Sequence, residues 1–152
     1  MKTKSLLIVA FLFVAFNSVN AADAVINKDQ NGLALKGYDA VAYFDQGKAV
    51  AGKKDFEHPW MGANWRFSTV ENRDLFAKNP EKYAPQFGGY CAFGVTGGYL
   101  APTDPTAWKV VEGKLYLNYD SDIQKKWSAD IPGNIKKANE KWPAASKTKP
   151  VE

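Results

Sequence analysis

A single cysteine, Cys91, stands among 152 residues, so no disulfide can form within this chain. That constrains the fold more than any other feature, because the chain opens like an exported protein. Lys2 and Lys4 precede an apolar run from Ser5 to Phe16, and Val19-Asn20-Ala21 presents small or permissive residues at a peptidase site. Residues 1–21 are therefore expected to be a cleavable signal peptide, cut after Ala21, with Ala24 as the alternative. A membrane-spanning helix needs about 20 apolar residues, and this run stops at Asn17. The reading is of a periplasmic or secreted domain, expected as a monomer, with no membrane anchor after cleavage.

Small exported domains are commonly stapled by disulfides; this one must hold by packing. Trp60, Trp65, Trp108, Trp127 and Trp142, with many Tyr and Phe, supply the means, since each large ring buries roughly 150–250 Å². Cleavage removes two lysines and no acids, taking the net charge from +4 to +2. That excess is too small to argue for nucleic acid. A Lys-rich stretch, residues 144–152, reads as a flexible tail.

Residues 22–32 form a polar lead-in, followed by a short extended piece, Leu33 to Lys36. The β-prone run Ala40 to Phe44 reads as a strand closed by a turn at Asp45-Gln46-Gly47-Lys48. Lys54–Trp60 and Asn64–Ser68 form a hairpin, with alternation placing Trp65 and Phe67 on one face. Thr69 caps a helix that Asn79-Pro80 stops. Gln86 to Tyr99 then carries five glycines between rings and one thiol, an arrangement suited to tight turns and close approach. Glu112-Gly113 joins Trp108–Val111 to Lys114–Asn118 as a second hairpin. Two helices follow, one opened by Asp120 or Ser121, the other by Ile131-Pro132. The sum is one α+β domain, residues 33–143, of small antiparallel hairpins with short helices.

Gly37-Tyr38-Asp39-Ala40-Val41-Ala42-Tyr43-Phe44, Trp65-Arg66-Phe67-Ser68, Glu71 to Phe76 and Asn79-Pro80-Glu81-Lys82-Tyr83 together resemble a YHS domain. The stretch Gly88 to Ala92, Gly-Gly-Tyr-Cys-Ala, is similar to that of exported proteins within that family. The resemblance implies an α+β fold. It also implies metal binding through three cysteines, but the matching positions here are Ala42, Ser68 and Asn72. A hydroxyl and an amide do not replace thiolates for Cu(I) or zinc.

The remaining chemistry centres on Cys91. A thiol among glycines offers a soft donor or a nucleophile, although free cysteine is also among the residues most often buried. His58 is the sole histidine, which rules out a four-ligand zinc site or a blue-copper site within one chain. Cys91, His58 and Met61 are a candidate three-coordinate soft-metal set. Cys91 with His58 is the one nucleophilic dyad the composition permits. Copper or another soft ion is the cofactor these donors suit, and non-covalent haem is also compatible. Tyr38, Asp39, Tyr43 and Asn118, with Tyr119 beside it, are candidate pocket residues, although Asp39 better suits a bond to nearby backbone that fixes a turn. The reading adopted is a non-catalytic domain binding a small ligand or metal ion near Cys91. A thiol-dependent enzyme or redox protein, and a protein-interaction module, are the alternatives.

Overall fold

The computed structural model describes residues 25–152, so the signal peptide expected over residues 1–21 lies outside the described residues. Leu33 and Ala34 make isolated bridges to Asn64 and Lys28. The extended piece then ends early, because Leu35, Lys36 and Gly37 form a tight left-handed turn with φ of 52°, 51° and 82°.

The expected strand at Ala40–Phe44 is instead a helical turn, α1 (Ala42–Asp45). The cause lies one step upstream. Asp39 Oδ1 accepts from the N–H groups of Val41 and Ala42, at 2.9 and 3.2 Å. A side-chain acceptor that captures two successive backbone donors curls the chain, and this outweighs the weak β-preference of Val, Tyr and Phe.

Strands β1 (Lys53–Trp60) and β2 (Ala63–Phe67) pair antiparallel, with His58 opposite Trp65 and an irregularity between Lys53 and Glu57. Ala63, Trp65 and Phe67 face the core while Asn64 is exposed, as alternation requires. Helix α2 (Val70–Lys78) starts where Thr69 Oγ1 accepts from Asn72 N. It is followed at once by α3 (Pro80–Tyr83), with Pro80 in its first turn. Phe76 of α2 is fully buried, its ring centroid 4.9 Å from that of Trp65 and 5.0 Å from that of Phe67.

The glycine-rich segment makes a second left-handed turn, with φ of 55°, 62° and 81° at Phe87, Gly88 and Gly89. Here glycine is required by space as well as by φ, since a Cβ on Gly88 would collide with the Val25 carbonyl. Helix α4 (Ala92–Thr96) follows, with Cys91 at its N-cap.

Strands β3 (Trp108–Val111) and β4 (Lys114–Leu117) form the second hairpin, turning through Glu112 and Gly113 with φ of 49° and 71°. Two successive positive φ values are those of the tight turn that matches strand twist. Helix α5 (Ser121–Ser128) is capped by Asp120, and α6 (Ile131–Ala145) by Asp130. Helix α6 thus passes the expected start of the tail, with Ala145 buried, and the chain beyond returns to bond Val151 N to Leu100 O at 2.8 Å.

The fold is α+β, and the described residues form two separate two-stranded sheets and two apolar clusters. Strand β4 serves both clusters. Leu115 and Leu117 pack in the first, with Trp65, Phe67 and Phe76; Tyr116 points the other way, against Phe87 and Trp127 in the second. Among the described residues no helix is long and apolar enough to cross a membrane.

Candidate functional site

Cys91 is 2 % exposed, and its own N–H is tied to Ala101 O at 3.0 Å. Its Sγ accepts from Gly94 N at 3.4 Å and lies 3.7 Å from Asn118 Oδ1, toward which the thiol donates. Asn118 is fully buried after β4, its backbone fixed by bonds to Ala107 and Asp104. Its Oδ1 also accepts from Phe93 N at 3.2 Å, which fixes the amide's orientation and leaves Nδ2 buried without a partner. Burial pushes the thiol's pKa up. The N–H groups of Gly94, Tyr119 and Phe93 act against that rise, and the charge of Asp120 adds to it. The sulfur is therefore held as a neutral thiol.

Beside it lies a cavity of about 330 Å³, lined by Cys91, Phe93, Tyr99, Tyr119, Ile123 and Val151 among others. Volumes of this order suit small ligands. Exposed large apolar side chains are otherwise scarce. Among the described residues they are Leu75, Tyr99, Tyr119 and Val151, at 43, 46, 51 and 46 %, and three of these four line this cavity. The exposed apolar side chains thus gather around one recess rather than scattering over the surface.

The other candidate residues are placed elsewhere. Asp39 is fully buried and accepts five hydrogen bonds: two from the N–H groups of Val41 and Ala42, two from the N–H and hydroxyl of Ser68, and one from Asn72 Nδ2 at 2.8 Å. A carboxylate offers about four lone-pair sites, so this one is saturated. Ala42, Ser68 and Asn72 do converge, but on this carboxylate. Tyr43 donates to Pro105 O at 2.8 Å, its ring edge-on to Trp108, and burial raises its pKa, helped by Tyr38, Asp104 and Asp39. Tyr38 is half-buried and packs on the first cluster. These three residues brace the first core. Of the non-thiol candidates, Asn118 and Tyr119 are the ones the fold brings to Cys91.

His58 lies edge-on to Phe76, with ring centroids 6.2 Å apart, and Met61 sits in the first hairpin's turn, lining another cavity with Trp60 and Trp142. Neither lines the Cys91 cavity. Among the described residues, no group of three or more His, Cys, Asp or Glu is placed to hold a metal ion. A larger recess, about 460 Å³, runs between the second hairpin's turn and α6 over Val111, Ile131 and Ile135, without a thiol or an aromatic ring.

The sequence does not single out Phe93, Tyr99, Ile123, Val151 or Glu152 as site residues. The first two carried a faint signal, as rings set among glycines. Ile123 read only as the apolar side of a helix, and the tail's return to Leu100 had no local signature. In comparison with known proteins, no family model matches the chain, and no curated protein or solved structure matches it.

Proposed function

We propose that this chain is an exported, periplasmic YHS-domain protein that holds a small ligand in the cavity beside Cys91 without catalysing a reaction. The residue pattern of Gly37–Phe44, Trp65–Phe76 and Asn79–Tyr83 supports the family assignment. The carrying observation for the function is that the domain's exposed rings and its lone thiol meet at one recess. Within this reading a ligand fits better than a metal ion, since His58 and Met61 lie away from the sulfur and Asp39 has no acceptor capacity left.

The thiol-enzyme alternative draws support from the three N–H groups around Cys91, which favour a thiolate. Burial works against it, as reactive cysteines sit in electropositive, partly exposed places. Native mass spectrometry of the protein purified from its own compartment tests the proposal. A non-covalent adduct, lost on denaturation and absent from Ile123→Trp, which fills the cavity, is the expected result. A bare polypeptide mass, with no change in cavity fluorescence across a panel of small solutes, would reject binding and leave an interaction module.

A further inference from the structure

We propose that the cavity beside Cys91 takes a small organic ammonium ion, held among the rings of Phe93, Tyr99 and Tyr119 and facing the carboxylate of Glu152. This rests on the binding reading above and names the ligand's chemical class.

The walls are three aromatic rings with Ala101, Ile123 and Val151. Among the described residues, none of these three rings packs against another aromatic side chain, and no lysine or arginine lies over any of them. Phe93 packs in part on the second cluster and the Tyr99 ring rests against Gly94 and Gly97, but none of the three is committed to a cation within the described residues. An aromatic ring attracts a cation most strongly where water is excluded, and alkylated ammonium ions, weakly hydrated and sheathed in methyl groups, are the ions that surrender water most readily.

Charge points the same way. In a chain with 20 Lys and Arg against 16 Asp and Glu, the only charged side chain lining this cavity among the described residues is acidic, Glu152. Asp120 stands next to Tyr119 at the start of α5, close enough for its charge to bear on the Cys91 sulfur. An anion would meet the like charges of Glu152 and Asp120, and a small hydrated metal ion would find Ala101, Ile123 and Val151 where it needs oxygen ligands. A cation with an apolar shell satisfies both the rings and the acids. The neutral thiol then adds a polarizable contact.

The test uses two probes of one shape. Choline carries a quaternary nitrogen; 3,3-dimethylbutan-1-ol carries a carbon in its place. Calorimetric titration of the purified protein is expected to give choline an affinity roughly tenfold higher. Tyr99→Leu and Tyr119→Leu should each weaken choline several-fold and leave the alcohol nearly unchanged, with unaltered melting temperatures showing that the fold persists. Glu152→Gln should cost choline about threefold at low salt, a loss that fades as salt is raised. Equal affinities, or tighter binding of the alcohol, would overturn the ligand class. Protection of Cys91 from alkylation separates the two levels of failure. If the alcohol protects and choline does not, the cation claim fails while the cavity stands; if neither protects and the thiol reacts only on global unfolding, the binding reading fails with it.

Discussion

At the scale of single residues, Asp39 and Cys91 exchange the roles that residue type suggests. The carboxylate, the better ligand on paper, is consumed by Val41, Ala42, Ser68 and Asn72; the thiol, buried and neutral, is the one that borders open space. Asp39→Ala strands five donors, most of them away from water. It is expected to destabilise the fold by about 3–5 kcal/mol, measured by urea unfolding. The thiol's raised pKa makes a pH prediction. A group whose proton is held more tightly in the folded state contributes stability fully below its unfolded pKa, and that contribution is lost as pH rises toward the folded value. For Cys91 the loss begins at about pH 8.5, and for Tyr43, Tyr90 and Tyr116, all raised by burial, at about pH 10. Cys91→Ala should remove the first phase of this alkaline loss and leave the second, as read from urea midpoints across that range.

At the scale of elements, both hairpins and the starts of α2, α5 and α6 were legible because each is written locally. Alternation marks the faces of β2, Glu112-Gly113 closes the second turn, and Thr69, Asp120 and Asp130 carry the caps. Helix α1 was not legible. Its apolar run has strand composition; the backbone turn that Asp39 also suited, through Val41 N and Ala42 N, is the one formed, but the Ser68 bonds that anchor that carboxylate lie 29 residues away, in no local window. The site was half legible for the same reason: Cys91 and Asn118 stood out by chemistry, but Val151 joins them only through a long-range bond to Leu100. Gly88 gives an element-level test. Ala there meets both a positive φ and the Val25 carbonyl, so Gly88→Ala should release the 25–27 segment, break the Asn27 N–Gly88 O bond and speed proteolysis near residue 27.

For the molecule as a whole, β4 joins the two apolar clusters by presenting Leu115 and Leu117 to one and Tyr116 to the other. Unfolding is therefore expected to be a single transition. Tyr116→Ala should lower its midpoint, at a cost of about 3–5 kcal/mol, without splitting it; two resolved transitions would contradict the coupling. The returning tail ties a cavity wall to the body through the Val151–Leu100 bond, a link worth about 1 kcal/mol. Deleting residues 147–152 should speed alkylation of Cys91 several-fold with little change in melting temperature.

The central claim, that a solute reaches Cys91 in the folded protein, is tested most directly by the denaturant dependence of its alkylation rate at sub-denaturing urea. Access through the cavity predicts a slow rate that is nearly flat in urea and suppressed by a bound solute. A rate that climbs with the full slope of global unfolding would mean that the sulfur is reached only when the fold is lost, and would contradict the account.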